Sequence, residues 1–433
     1  MELSRYLKVY TNPDQPGRIL LYATRRCAVL ELSETFWAKV CSGGDLTGQE
    51  EKTLLRLKVL VPDRAAEREE LLDTFNRANR MKRPFTALVT LTLECNLACP
   101  YCFEEPFRGS LKMSDATAAL LIGMLEEKMA AGLDVKVDFY GGEALLALPR
   151  LKEIAGRLHE AAQVNGVAFE FAIISNGTLL NRQVVEELLP LGLTGARLTL
   201  DGPPDIHNRQ RPFVSGNDSF AAILHNIKEV CDLAALELGS NFTRENYHRF
   251  PEMLDILLQE GVAPDKLTAV GFFPVFPRSD GSVSGECNSI CSACDEPWMI
   301  EAGLFLRGEI LRRGFAAPKP RMAGCMVEFD NDLVVGYDGA LYKCPVFMGQ
   351  EELRVGTLAD GVGNYRESHN LDIWKTEECL ECAYLPLCFG GCRFFRKLKT
   401  GAIDGVDCRK AMLDASLESI VRQDLGLGQG CNK

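Results

Sequence analysis

The sequence predicts an α/β chain built on a partial (β/α)6 barrel, with a winged-helix-like module before it and a cysteine-rich extension after it. Three observations predict this. From about Phe85 to Phe276, β-like runs alternate with amphipathic segments, the mark of parallel βαβ units. The unusual residues fall just after those runs, where parallel barrels carry their chemistry. After about Asp280 the alternation stops, and cysteine, glycine and charged residues dominate.

At the start of the chain, Tyr6 to Leu32 reads as a β-hairpin or meander around the turn NPDQPG. One short helix follows Ser33, and a second opens with the capping-box pattern Thr47-x-x-Glu50. KVLVPD then supplies a wing strand. Residues 1–64 are therefore expected to form a winged-helix-like module, and residues 65–84 a charged amphipathic linker helix. The barrel is expected over residues 85–280, with six strands in FTALVTLTLE, VKVDFYGG, FEFAIISNG, ARLTLDG, LELGSNFT and LTAVGFFPVF. Caps mark its helices: Ser114 before Ala116 to Ala130, Asn181 before Arg182 to Leu191, and Ser219 before Phe220 to Asp232. Six repeats fall short of the eight that close a TIM barrel, so an open, TIM-like partial barrel is expected. Residues 281–324 read as a bridging region and 325–433 as a cluster-binding domain. With no long helix or strand pattern, that region has little core of its own, and metal clusters are expected to organise it.

Composition bounds the function. A net charge of −12 argues against general nucleic-acid binding, which needs a basic face. No apolar run is long enough to span a membrane, and the start MELSRYLKVY lacks the apolar core of a signal peptide, so a cytoplasmic protein is expected. In a reducing compartment the 17 cysteines are better read as metal ligands than as disulfides. Cys231 follows an apolar helical stripe and is expected to be a buried core thiol, as are Cys27 and Cys41; Cys431 sits in a Gly-rich tail without a role.

The densest signal is LECNLACPYCFE, with Cys95, Cys99 and Cys102 in a C-x3-C-x2-C pattern. Three thiolates can hold three irons of a 4Fe-4S cube and leave the fourth open to an outside ligand. A zinc site would need a fourth ligand nearby, yet no His or Cys lies between Cys102 and His159. Later strands are followed by GGE (Gly141, Gly142, Glu143), SNG (Ser175 to Gly177) and DGPPDIHNRQR.

CNLACPYC, with an aromatic residue before its last cysteine, resembles the signature of radical SAM enzymes, and the resemblance covers about Phe85 to Phe276. It implies that S-adenosylmethionine chelates the open iron, that Gly141, Gly142 and Glu143 receive its amino group, and that Ser175 and Asn176 lie near ribose or carboxylate. It also implies that Tyr101 borders the adenine. A glycine pair lets backbone approach a ligand closely, and a glutamate accepts hydrogen bonds from a cationic amine. LDGPPDIHNRQR resembles the family's LDGP-x3-H-x3-R stretch, which places Asp201, His207 and Arg211 at the barrel mouth. Arg211 suits a carboxylate; His207 suits either catalysis or the holding of a loop.

A second cysteine field follows. Cys325, thirteen residues, Gly339, four residues and Cys344 precede Cys379-x2-Cys382-x5-Cys388-x3-Cys392 and then Cys408. The order resembles the seven-cysteine SPASM extension of radical SAM peptide maturases. The resemblance implies auxiliary cluster I on Cys325, Cys344 and Cys392, and auxiliary cluster II on Cys379, Cys382, Cys388 and Cys408, hence three 4Fe-4S clusters in all. A zinc ribbon over Cys379 to Cys392 would leave the other three cysteines unexplained. ECNSICSAC repeats the C-x3-C-x2-C spacing with Cys287, Cys291 and Cys294, but has no strand before it and no aromatic–Cys pair. One of these three is expected to complete auxiliary cluster I; the sequence leaves open which.

The expected activity is of oxidoreductase type. An electron from a flavodoxin- or ferredoxin-type donor cleaves S-adenosylmethionine, and the 5'-deoxyadenosyl radical takes hydrogen from an unactivated carbon. The auxiliary clusters then accept an electron or hold a substrate thiolate. The leading substrate is a ribosomally made precursor peptide, modified by linking a Cys sulfur to a carbon as a thioether. The layout of residues 1–64 resembles the winged-helix peptide-recognition modules of peptide maturases, which implies that the leader docks there as an added strand, with Arg18, Arg25 and Arg26 attracting acidic residues. The design most resembles the geopeptide maturase branch. The runner-up is a sulfatase maturase, which makes formylglycine from Cys or Ser; such enzymes carry an Asp after the second SPASM cysteine, where this chain has Pro345. A non-enzymatic iron–sulfur electron carrier or scaffold would leave GGE, SNG and LDGP idle.

Overall fold

Six parallel strands and the helices between them form the larger part of the chain. The computed structural model describes all residues except 13–14, 81–83, 103, 105–108, 277–295 and 428–433. The chain begins with β1 (Glu2–Leu3), β2 (Leu7–Thr11), β3 (Arg18–Ala23) and β4 (Ala28–Ser33), followed by α1 (Glu34–Cys41), α2 (Gly48–Arg56), β5 (Leu60–Val61) and α3 (Arg64–Arg80). β2, β3 and β4 make an antiparallel meander, and β5 pairs with β1 as the wing. Ser33 caps α1 by accepting the Phe36 N–H, and Thr47 and Glu50 close a full capping box on α2. The helix α3 is more than a solvated linker. It buries Leu71, Phe75 and Glu67, whose carboxylate accepts from the Ser4 hydroxyl and, at 3.1 Å, from the Arg5 N–H.

The barrel runs β6 (Phe85–Thr92), α4 (Asp115–Ala130), β7 (Val135–Gly141), α5 (Leu148–Asn165), β8 (Phe169–Ser175), α6 (Arg182–Leu188), β9 (Leu193–Thr199), α7 (Pro204–Gln210), α8 (Phe220–Val230), β10 (Ala235–Phe242), α9 (Pro251–Gln259), β11 (Leu267–Pro274) and α10 (Pro297–Arg312). Each of the six strands lies within or starts just before its expected run, and all pair in parallel. Period-two burial explains why: Val135, Val137 and Phe139 of β7 all face the core. Ser114 and Asn181 cap α4 and α6 as expected. Ser219 does not cap α8; its hydroxyl is used elsewhere, and Asn208 accepts the Phe220 N–H at 3.0 Å in its place.

The sheet does not close. β12 (Asp332–Val335) joins the outer side of β6 in parallel, and β13 (Ala340–Tyr342), β14 (Arg354–Thr357) and β15 (Gly361–Val362) extend it antiparallel. The order is β11-β10-β9-β8-β7-β6-β12-β13-β14-β15. The last elements are α11 (Glu377–Leu380), α12 (Leu385–Cys388), α13 (Arg393–Thr400) and α14 (Lys410–Asp424).

Several expectations need correction. The region after Asp280 does contain long helices: α10 has 16 residues and α14 has 15. In α10, Met299, Ala302, Leu306 and Ile310 form a buried stripe at helical spacing. Cys41 is exposed at the end of α1, and Cys231 is half-buried one residue past α8, where it packs against the main core. Cys27 is half-buried in a turn at φ 48°. Cys431 lies outside the described residues. No described helix is long and apolar enough to cross a membrane.

The chain divides into two compact units. One contains Met1–Met81, Lys319–Glu328 and Asn370–Lys433; the other contains Lys82–Pro318 and Phe329–His369. The N-terminal module and most of the second cysteine field thus belong to one unit, and the barrel with β12 to β15 to the other.

Candidate active site

The first cysteine loop leaves the carboxyl end of β6 and is fixed by the glycine pair after β7. Gly142 N–H donates to Thr92 O at 2.9 Å, and Glu143 N–H donates to Glu94 O at 2.8 Å. A Cβ on Gly141 would stand 2.2 Å from Thr92 O, and one on Gly142 2.4 Å from Glu94 O. Gly141 also sits at φ 143°. The pair is therefore required for backbone to pack on the backbone of the cysteine loop, before any ligand is considered.

Glu143 is fully buried, and burial raises its pKa against the hydrogen bonds that favour its charge. Its carboxylate accepts from Leu145 N–H at 3.0 Å, from Asn176 N–H at 2.8 Å and from the Ser175 hydroxyl at 3.0 Å. Those bonds tie the end of β7 to the end of β8 and occupy the oxygens expected to meet an amino group. Asn176 reaches back the other way: its amide donates to Asn96 Oδ1 at 2.8 Å and to Cys95 Sγ at 3.8 Å. Thr178 and Asn96 complete that corner through a 2.8 Å bond, and Asn226 of α8 holds the carbonyls of Gly177 and Thr178.

Tyr101 is held by its hydroxyl. It donates to Asp201 and accepts from Arg211 Nη1 at 2.7 Å, and Asp201 Oδ1 accepts the Asn241 N–H at 2.7 Å. Burial raises the Asp201 pKa, with Arg211 opposing. Burial also works against the Arg211 charge, but Cys99, Tyr101 and Asp201 outweigh it and keep the guanidinium charged. Among the described residues, the buried Arg211 Nε finds no hydrogen-bond partner. His207 braces this arrangement: its Nδ1 accepts the Asp201 N–H at 2.9 Å, its Nε2 meets Ser219 Oγ at 3.0 Å, and Ser219 donates to Arg211 O at 2.5 Å. Burial pushes the His207 pKa down to about 3. The neutral imidazole thus fixes both ends of the Asp201–Arg211 segment, which is the loop-holding alternative.

The donor set of the loop fits a thiolate-bound cluster. Burial pushes the Cys99 thiol up to about 11, Arg211 works in the opposite direction, and Cys102 and Cys95 are close enough to add to the rise. Leu97 N–H points at Cys95 Sγ at 3.5 Å, beside the Asn176 amide. Among the described residues, no three His, Cys, Asp or Glu side chains converge on a position for a single metal ion.

In the other unit, Val327 and Arg393 backbone N–H groups donate to the Cys325 thiol, and Arg393 makes a buried 2.5 Å ion pair with Glu328. Gly390 and Arg409 N–H groups serve the Cys388 thiol in the same way. Cys379 feels the charge of Cys382 and Cys408. Asp407 draws the Cys392 and Cys408 segments together: its N–H donates to Gly390 O at 2.9 Å, its carboxylate accepts the Cys392 N–H at 3.3 Å, and a Cβ on Gly391 would be 2.1 Å from Asp407 O. Cys344 belongs to the barrel unit, where it precedes a turn over Pro345–Phe347. Cys287, Cys291 and Cys294 lie outside the described residues.

Residues 89–257 match the radical SAM superfamily, so the chain carries a radical SAM domain over that stretch. Such a domain works with S-adenosylmethionine and a 4Fe-4S cluster. The chain is 24% identical over 339 residues to a PqqA peptide cyclase of Granulibacter bethesdensis, covering 75% of this chain and 86% of that one. It is also 24% identical over 342 residues to a serine-type anaerobic sulfatase-maturating enzyme of Bacteroides thetaiotaomicron, covering 69% and 80%. Among solved structures, Streptococcus suis SuiB bound to its precursor peptide SuiA aligns with a TM-score of 0.54 at 14% identity, over 95% of this chain and 99% of that chain.

Sequence reasoning missed Asn96, Thr178, Ser219, Asn226 and Asn241. Two of them left a signal. Asn226 interrupts the apolar stripe Phe220, Ile223, Ile227, Val230, and Asn241 sits near the carboxyl end of the run LELGSNFT, where parallel barrels carry their chemistry. The arginines expected to attract a leader separate: Arg25 is buried against Glu67 and Glu70, Arg18 pairs with Glu31 at 2.7 Å, and Arg26 is exposed. Arg25 is therefore withdrawn from that role, because its charge is already spent inside the module.

Proposed function

We propose that this radical SAM enzyme matures a ribosomally made precursor peptide and that it joins a Cys sulfur to a carbon of that peptide as a thioether. The observation that carries the reading is the free edge of the N-terminal meander: β4 pairs with β3 on one side, and among the described residues no strand pairs with its other side. An extended leader can add there through main-chain bonds, with exposed Arg26 nearby for an acidic residue. Likeness to SuiB, named with its precursor peptide, and to a peptide cyclase supports the same class.

Cys95, Cys99 and Cys102 would hold the first cluster, and when loaded with S-adenosylmethionine it supplies a 5'-deoxyadenosyl radical for hydrogen abstraction. This chain's own residues supply the frame: Gly141 and Gly142 seat the cysteine loop, Glu143 locks two strand ends together, and Arg211 offers a charged guanidinium beside Cys99 whose Nε has no partner among the described residues. Cys325, Cys344 and Cys392, and Cys379, Cys382, Cys388 and Cys408, are assigned to two auxiliary 4Fe-4S clusters.

A sulfatase-maturase reading has the Bacteroides relative in its favour. Against it stands Pro345, which offers no carboxylate where those enzymes carry one. Mass analysis of the product distinguishes the two. A thioether removes two hydrogens per crosslink and consumes the thiol; an aldehyde in place of a Cys or Ser side chain overturns the proposal.

A further inference from the structure

The N-terminal module meets the second cysteine field around Cys382. Tyr6 is fully buried, and its hydroxyl donates to Leu380 O at 3.0 Å. Thr24 is also fully buried, and its hydroxyl donates to Ala383 O at 2.7 Å. The two carbonyls flank Cys382, one on each side. Thr24 is itself fixed to Tyr6, since its N–H donates to Tyr6 O at 3.0 Å.

The clasped segment has little structure of its own. α11, which contains Cys379, is a single turn of four residues, and one turn is too short to hold itself together. Within the segment, Thr376 caps α11 through the Cys379 N–H at 3.3 Å, and Cys382 N–H donates to Cys379 O at 3.0 Å. Farther along, Tyr384 packs with Tyr22 of β3 and with Leu417 and Val421 of α14. Arg5 pairs with Glu381, and Arg68 with Glu377 at 2.8 Å, but these lie toward the surface where ion pairs hold weakly. The buried hydroxyls are the contacts that fix the backbone on both sides of Cys382.

We propose that Tyr6 and Thr24 are positioning residues for the Cys379–Cys382 pair, so that the peptide-recognition module also presents ligands to auxiliary cluster II. This rests on the assignment of that cluster made above. It gives the module a second duty: β3, the strand next to the edge offered to a leader, leads directly into Thr24. A leader seated on that edge then acts on the ligands of a cluster through one residue.

The test uses the full chain with Tyr6→Phe and Thr24→Val, alone and together, and with Thr24→Ser as the conservative variant. Each is reconstituted anaerobically. The midpoint potential of each cluster is followed by EPR, and amide exchange over residues 379–388 is measured before iron is added. The double variant is expected to exchange at least tenfold faster across that segment and to show a shifted potential for one auxiliary cluster. The first cluster's potential and S-adenosylmethionine cleavage should match the wild type, and Thr24→Ser should restore the wild-type potential. Unchanged exchange and potential in the double variant overturn the proposal. Failure of the underlying assignment shows differently: wild-type protein would hold about four irons where three clusters need about twelve.

Discussion

Replacing Gly142 by Ala tests the physical role assigned to the glycine pair. Gly142 is not in the positive-φ region, so the effect is steric. The added methyl would lie 2.4 Å from Glu94 O and 2.8 Å from Leu93 O, both backbone atoms of the cysteine loop. Overpacking of this kind costs about 1–3 kcal/mol, and weakening the bonds from Gly142 N–H to Thr92 O and from Glu143 N–H to Glu94 O adds about 0.5–1.5 kcal/mol each. Gly142→Ala should therefore destabilise the barrel unit by about 2–6 kcal/mol, and should do so with neither iron nor S-adenosylmethionine present. Urea unfolding of the iron-free chain measures it. If stability is unchanged while affinity for S-adenosylmethionine falls, the glycine serves ligand approach and the packing argument is refuted.

Other outcomes follow from the same contacts. His207 has a folded-state pKa near 3 against an ordinary value of 6.5, so its contribution is complete above pH 6.5 and is lost as pH falls toward 3. In the iron-free chain, the stability gap between wild type and His207→Gln should narrow by about 2–3 kcal/mol between pH 6.5 and 4.5; a constant gap contradicts the neutral brace. Arg25→Gln should destabilise the N-terminal unit by about 1.5–3 kcal/mol, because it strips a charged partner from buried Glu67. Arg26→Glu should leave stability within about 0.5 kcal/mol and weaken leader binding in a way that added salt mimics. Equal stability losses for the two would undo the separation drawn between them.

The barrel was legible because its signals are local. Runs such as VKVDFYGG carry the two-residue period that one buried face requires, and Ser114, Asn181 and Thr47 announce helix starts through bonds to residues three positions on. The cysteine spacings were likewise local. What could not be seen was non-local or too short. DLVV and ALY are strands of four and three residues, with no room for a period, and they become strands by pairing with β6 and with each other. α10 carried a readable stripe that the cysteine-rich surroundings obscured. The association of residues near Tyr6 and Thr24 with those near Cys382 spans more than 350 positions, and nothing in either stretch announces the other. The same holds for Arg25: of three consecutive exposed-looking polar residues, Thr24 and Arg25 are buried and only Arg26 is exposed.

The central claim is that the Cys95, Cys99, Cys102 loop drives hydrogen abstraction from a peptide. It is tested most directly by giving the reduced enzyme a cognate precursor peptide deuterated at the carbon that accepts the sulfur, and analysing the released 5'-deoxyadenosine by mass spectrometry. The account predicts one deuterium transferred per turnover in the wild type, and neither cleavage nor transfer when all three cysteines are replaced by Ala. Unlabelled 5'-deoxyadenosine accompanying labelled-peptide turnover, or transfer that persists in the triple variant, would contradict it.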